Sequence, residues 1–157
     1  MANSNSYYIV SNMNSDKSLM FERFNDACRR AGLKITPQRE MIYQYLAGSK
    51  THPSAESVYQ QVKKIYPNIS LDTVNRTLLT LAKIGLAFTV EGSGDAKRFD
   101  ANFDGHQHFK CLKCKKIVDF NYQPFRDIEL PEKLRQKFKV VRKTVYLEGY
   151  CKDCEQD

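Results

Sequence analysis

The stretch His106 to Phe120 reads H-Q-H-F-K-C-L-K-C-K-K-I-V-D-F, and its spacings organise the reading of everything around it. On a strand, residues i and i+2 point to one face, so His106 and His108 can serve one ion together. Cys111 and Cys114 form a Cys-x-x-Cys pair, and Cys151 and Cys154 form a second one near the end of the chain. Two thiolates from each pair give a closed tetrahedral S4 set, which suits a structural Zn2+. The 36 residues between the pairs exceed the spacer of a short zinc ribbon, but a helix with flanking strands fills them. Surface thiols or a disulfide couple are the plainer alternatives.

Working outward, Phe109–Phe120 reads as strands bent by the Cys pair. Phe125–Phe138 reads as helical at least from Pro131, and Lys139–Tyr150 as a strand. The region 106–157 has few large apolar clusters and is small for an independent core. A metal staple and a subunit partner would both serve it. Residues 101–105 form a short polar connector, the expected hinge.

Upstream of the hinge the periodicity is different. Leu86–Glu91 and Lys97–Asp100 read as two strands joined by a turn at Gly92-Ser93-Gly94-Asp95. Before them come four helices. The first fits residues 17–31, capped by Ser15 or Asp16 and stopped by Gly32, with Met20, Phe24, Ala27, Cys28 and Ala31 as its apolar stripe. Cys28 is most simply a core thiol. Thr36-Pro37 starts the second helix, which buries Met41, Ile42, Tyr45 and Leu46. Ser54 caps the third, with Ala55, Val58, Tyr59, Val62 and Ile65 inward. Ser70 caps the fourth, with Val74, Leu78, Leu81 and Ile84 inward and Asp72, Thr73, Asn75, Arg76, Thr80 and Lys83 outward. Helices followed by a two-stranded hairpin make a winged helix, whose last helix before the wing enters the DNA major groove. An ordinary helical domain with a solvated face is the alternative. The expected plan is therefore α+β: a polar tail over 1–16, a winged-helix domain over 17–100, the hinge, and an α/β domain over 106–157. Tyr7, Tyr8, Ile9 and Val10 are the tail's candidates for packing on the body.

Composition narrows the class. The chain has 157 residues, net charge +7 and 41% hydrophobic residues. There is no apolar run of about 18 residues, so a membrane partner is not expected. Met1–Ser15 lacks the pattern of a secretory signal. Five cysteines, four of them in Cys-x-x-Cys pairs, favour a reducing, cytoplasmic setting and metal binding over disulfides. Positive charge permits a polyanionic partner, yet it is spread evenly, with 13 basic and 9 acidic residues in 1–100 and 12 and 9 in 101–157. A local signal is the run from Ala27 through Arg39, which holds Arg29, Arg30, Lys34 and Arg39 and no acidic residue. This tilts the reading toward DNA.

The chain has only three histidines, His52, His106 and His108. With Asp100 and Asp119 they make a three-nitrogen, two-carboxylate set suited to Fe2+, Mn2+ or Zn2+. Asp119 sits in an apolar run, where a buried carboxylate is costly unless paired or ligated. The residues alone leave other assignments open: His52 as a turn residue before Ser54, Asp100 as a charge on the wing edge, and Asp119 on a solvated face.

From Leu33 to Cys154 the chain resembles the ferric uptake regulator family of metal-dependent repressors. The resemblance is carried by Leu33-Lys34-Ile35-Thr36-Pro37-Gln38-Arg39, Thr51-His52-Pro53-Ser54-Ala55, Ser70-Leu71-Asp72-Thr73-Val74-Asn75-Arg76-Thr77-Leu78, Arg98-Phe99-Asp100, His106-x-His108-x-x-Cys111-x-x-Cys114, and Gly149-x-Cys151-x-x-Cys154. It implies a homodimer binding double-stranded operator DNA, with Gln38, Arg39, Thr73, Asn75 and Arg76 as candidate DNA contacts. It also implies a structural zinc at Cys111, Cys114, Cys151 and Cys154, and a regulatory Fe2+ or Mn2+ at the hinge. The pairing of Asp100 after Arg-Phe with Asp119 in Lys-Ile-Val-Asp-Phe looks like the peroxide-sensing branch. That likeness implies the ligands His52, Asp100, His106, His108 and Asp119, with His52 or His106 oxidised by hydrogen peroxide. Two departures are Asn75, where the family usually has Tyr, and the lack of histidine in Val141–Glu148, so that a third metal site is not expected. A repressor released by peroxide is the expectation, and an iron- or zinc-uptake regulator is the alternative. A metalloenzyme is disfavoured by the lack of a nucleophile–base pair or phosphate loop. A zinc-stapled interaction module would lack salt-dependent DNA affinity.

Overall fold

The computed structural model describes residues 5–90 and 96–155, with side chains from Ser18 onward. The chain separates into two compact units, with the residues through Val90 and the stretch ending at Asn102 in the first and Phe103 onward in the second.

The first unit runs α1 (Asn5–Arg30), α2 (Pro37–Gly48), α3 (Ala55–Val62), α4 (Leu71–Lys83), β1 (Phe88–Val90) and β2 (Arg98–Asp100). Three of its helices start on hydroxyl caps. The side-chain oxygens of Thr36, Ser54 and Ser70 accept from the backbone N–H of Arg39, Ser57 and Thr73 at 3.3, 3.2 and 3.1 Å, each satisfying an N–H that lacks a partner within the helix. Two helices end on left-handed glycines, Gly32 at φ +64° and Gly85 at φ +79°. There Leu33 N–H reaches Cys28 O at 2.9 Å and Leu86 N–H reaches Leu81 O at 2.9 Å. Those bonds close Schellman motifs and turn Leu33 and Leu86 back toward the core.

The core gathers Phe24, Ala27 and Cys28 from α1, Ile42, Tyr43 and Leu46 from α2, Val58 and Val62 from α3, Val74, Leu78 and Leu81 from α4, and Phe99 from β2. Phe24 and Tyr43 stack with centroids 5.3 Å apart. Strands β1 and β2 pair antiparallel, Phe88 opposite Asp100. Helices α2 to α4 followed by this ribbon form a winged helix. The expected turn at Gly92–Asp95 lies outside the described residues, as do the side chains of Tyr7–Val10.

Several expectations need correction here. Helix α1 begins at Asn5, not at residue 17, so Ser15 and Asp16 lie within it and not at its start. Asn and Ser are mediocre helix formers, but extending an established helix adds a hydrogen bond for each residue fixed. Ala31 is exposed because the chain leaves the helix at Gly32. Ile65 is 59% exposed, since α3 ends at Val62 and its period does not carry on. Tyr43 and Thr77 are buried instead, while Met41 and Tyr45 are only partly so.

The second unit is a three-stranded sheet ordered β4-β3-β5, from β3 (Gln107–Cys111), β4 (Ile117–Phe120) and β5 (Tyr146–Gly149). Strand β3 is antiparallel to β4 and parallel to β5. Helices α5 (Gln123–Arg126), α6 (Glu132–Lys137) and α7 (Lys152–Glu155) are short. The helix expected at least from Pro131 is α6, which starts just after that proline, while of the stretch before it only Phe125 and Arg126 are helical, in α5. The expected strand over Lys139–Tyr150 is only β5, since the stretch before it has no ladder partner among the described residues. Few side chains are buried: Gln107, His108, Lys110, Cys111 and Ile117. Many apolar ones are exposed, including Phe138 at 61% and Val141 at 91%.

Candidate metal centres

Cys111 closes β3, and the antiparallel return to Ile117 passes through Cys114. Lys115 at φ +64° tightens this turn, and Cys111 N–H donates to Lys116 O at 2.9 Å. The parallel register sets Cys111 opposite Gly149, which delivers Cys151 two residues later. Cys154 follows on α7, with its N–H on Cys151 O at 2.8 Å. All four Sγ atoms lie within 4.8 Å of one another, and Cys114 and Cys151 are 3.8 Å apart. A tetrahedron with metal–sulfur bonds of about 2.3 Å has edges of about 3.8 Å, so the four thiols fit Zn2+ with no position open. Backbone N–H groups favour the thiolate at Cys111: the Cys151 amide, 3.4 Å away, is foremost, and the thiol is lowered to about 6. Cys154 is pushed up to about 12, first by its hydrogen bond with Cys151 and then by burial. Binding a metal therefore displaces a proton at neutral pH from Cys154.

Each unit also holds nitrogen and carboxylate donors of its own. In the first unit, His52 Nε2 lies 3.3 Å from Asp100 Oδ2, with both side chains buried. The other carboxylate oxygen, Oδ1, accepts from Asn102 N–H at 2.7 Å, which orients Asp100. His52 has φ +49°. In the second unit, His106 Nε2 and His108 Nε2 are 3.0 Å apart. Asp119, opposite His108 in the ladder, places Oδ1 3.5 Å from His108 Nε2 and 3.8 Å from His106 Nε2. His106 Nδ1–H donates to Asp104 O at 2.5 Å. That carbonyl settles the tautomer and leaves Nε2 as the donor atom, the usual arrangement behind a ligating histidine. Two nitrogens 3.0 Å apart span adjacent positions of an ion held at about 2.1 Å. The nitrogen–carboxylate set suits Fe2+, Mn2+ or Zn2+. Asp119 is 34% exposed at its side chain, so burial in an apolar strand is not what its carboxylate has to offset; the two imidazoles beside it are its distinguishing feature.

The proposed DNA-facing residues are placed less uniformly. Thr73 and Arg76 are exposed on α4, Asn75 is half-buried, and Gln38 is exposed at the start of α2. Arg76 sits 3.6 Å from Asp72. Arg39 is half-buried and donates through Nη1 to Lys34 O. Sequence reasoning missed the supporting groups, Asn102 N–H and Asp104 O, because backbone atoms leave no residue-type signal.

A winged helix joined to a small sheet unit, with a tetrathiol cluster and buried His/Asp donors, defines a metal-binding winged-helix protein. The profile of the Ferric uptake regulator family matches residues 30–148, and the chain belongs to that family. It is 38% identical over 127 residues to the peroxide-responsive repressor PerR of Staphylococcus aureus, covering 81% of this chain and 86% of that protein. Among solved structures, it resembles the Helicobacter pylori ferric uptake regulator Fur, a protein described as having three functional metal-binding sites. The TM-score is 0.75 at 26% identity, covering 89% of this chain and 94% of that one. The Campylobacter jejuni peroxide stress regulator is similar at TM-score 0.63 and 27% identity, covering 86% and 98%. No helix among the described residues is long and apolar enough to cross a membrane.

Proposed function

We propose that this chain is a cytoplasmic, metal-dependent transcriptional repressor that binds operator DNA as a homodimer and releases it when peroxide oxidises a metal-ligating histidine. The observation that supports the reading is that each unit gathers nitrogen and carboxylate donors of its own. His52 and Asp100 belong to the winged helix, and His106, His108 and Asp119 to the sheet unit. If His52 and Asp100 shared one ion with His106, His108 and Asp119, the separation of the two wings in a dimer would be fixed, and a symmetric reader of two half-sites needs that separation to match the DNA helical repeat. Metal and operator then favour each other reciprocally, typically by about 1–3 kcal/mol. Zn2+ at Cys111, Cys114, Cys151 and Cys154 staples the sheet unit whatever the state of the switch. Gln38, Arg39, Thr73, Asn75 and Arg76 supply the DNA contacts.

His52, Asp100, His106, His108 and Asp119 would hold Fe2+, which would supply electron-transfer chemistry toward hydrogen peroxide, one oxygen atom of the peroxide going to the imidazole of His52 or His106 and the other leaving as water. The altered ring is a poorer donor, and the wings are freed. The peroxide-responsive names among the relatives and the two aspartates support this branch over a regulator of metal uptake. Fe2+-loaded protein treated with peroxide should gain one oxygen on a peptide carrying His52 or His106 and lose operator affinity, while the Mn2+ form stays unmodified and bound. Unmodified histidines with operator binding retained would overturn the peroxide reading and leave regulation by metal level.

A further inference from the structure

His52 stands in a conformation that its own neighbours oppose. Its φ of +49° is left-handed, a region that non-glycine residues enter at a cost. The residue after it is Pro53, which pushes a preceding residue toward extended backbone. Left to local preference, His52 would relax to extended geometry and its imidazole would leave Asp100. The opposing contacts come from β2. Arg98 donates through Nε to His52 O and through Nη2 to Thr51 O, the latter at 2.8 Å. Phe99 N–H donates to Pro53 O at 3.0 Å, and Ser54 bridges to Arg98. Two residues after Arg98, the same strand presents Asp100, whose Oδ2 faces His52 Nε2 at 3.3 Å.

We infer that Arg98 is a positioning residue for metal binding: its planar fork on the two successive carbonyls holds the His52 backbone left-handed, and so keeps the imidazole aimed at the point Asp100 faces. This rests on the reading that His52 and Asp100 ligate the regulatory metal. The fork matters more than the charge. A guanidinium spans two acceptors in fixed geometry, which an ammonium cannot do. Its positive charge, in contrast, works against a neighbouring dication. Charge alone therefore predicts that Arg98→Met tightens metal binding and that Arg98→Lys leaves it unchanged. Positioning predicts that both weaken it, by roughly 10–100-fold, as supporting partners of metal ligands do.

The test uses the full chain with its zinc in place. Mn2+ affinity is read from the electron paramagnetic resonance signal of free Mn2+, and ligand geometry from the visible bands of Co2+ at the same site. Arg98→Met and Arg98→Lys should both bind Mn2+ more weakly, with Co2+ bands shifted toward those of His52→Ala. Arg98→Met combined with His52→Ala should bind no more weakly than His52→Ala alone, since a residue acting through His52 has nothing left to act on. Full additivity in that double variant, or Mn2+ affinity unchanged or tightened in Arg98→Met and Arg98→Lys while His52→Ala is impaired, would overturn the positioning role. If Arg98→Met fails to fold, Arg98→Lys carries the test, because it keeps the charge and most of the stem. Undiminished Mn2+ binding by His52→Ala would instead overturn the ligand reading itself.

Discussion

Cys28 and Tyr43 make the winged-helix unit sensitive to alkali. Both are buried in its core. Burial pushes the Cys28 thiol above its ordinary 9.0 against the opposing pull of Arg39, and pushes Tyr43 above 10.0 against Arg23. A raised acid is protonated more readily in the folded chain than in the unfolded one. Its contribution to stability is therefore complete below the unfolded value and is lost as pH rises through the folded value. The midpoint of thermal unfolding should fall between about pH 9 and pH 11, where free thiols and phenols ionise. The double variant Cys28→Ala, Tyr43→Phe should show a shallower fall there than the parent and the same slope below about pH 8. A scan of unfolding temperature against pH reads this directly. At this scale Cys28 was legible from its helical stripe, because 3.6-residue periodicity reports burial well. His52 was matched with Asp100 through the family resemblance and only weakly by local pattern, since their meeting joins residues 48 positions apart through a backbone conformation that its own neighbours disfavour.

Elements differ in what holds them. Helices α2 to α4 carry hydroxyl caps and a shared apolar core, and both signals are local enough to be read from the chain. The fold class was legible for that reason. In the sheet unit the signals are weaker: β5 is only Tyr146–Gly149, and α5 and α6 bury no side chain. Besides their ladders and the His108–Asp119 contact between β3 and β4, the thiol cluster ties the sheet at one end. The spacing of the Cys pairs announces that cluster, but the lengths of the elements around it are set by the ladder and by prolines. Because so little apolar surface is buried, removal of the metal should cost this unit its structure. Cys114→Ser, or treatment of the parent with a strong chelator, should release zinc and abolish the protection of the β3 and β5 amides from hydrogen exchange. Amides of α2 to α4 should keep theirs. Persistent protection in β3 and β5 without zinc would show that the strands need no staple.

On the scale of the whole molecule, the exposed apolar side chains of the sheet unit ask for a cover. Phe138, Val140, Val141, Leu147 and Tyr150 are 61%, 40%, 91%, 40% and 58% exposed in the single chain. Apolar residues scattered singly over a surface are ordinary, but several within one small unit are what the proposed dimer interface would cover. The proposed homodimer supplies the occupant, a second copy of the same surface, as a two-fold interface requires. A dimer also determines how strongly DNA is held. Two winged helices joined rigidly bind the second half-site at an effective concentration set by their linkage, which can raise affinity by about 10²–10⁴ over one wing alone. Placing a carboxylate at Val141 and another at Leu147 should therefore leave the winged-helix unit folded and convert the protein to monomers in sedimentation. Operator affinity should drop by about two orders of magnitude or more, and the salt dependence of the residual binding should become shallower, because fewer phosphates are contacted. A variant that stayed dimeric would place the interface elsewhere on the chain. A monomer with undiminished operator affinity would show that one wing suffices, and the metal would then have no separation of wings to control.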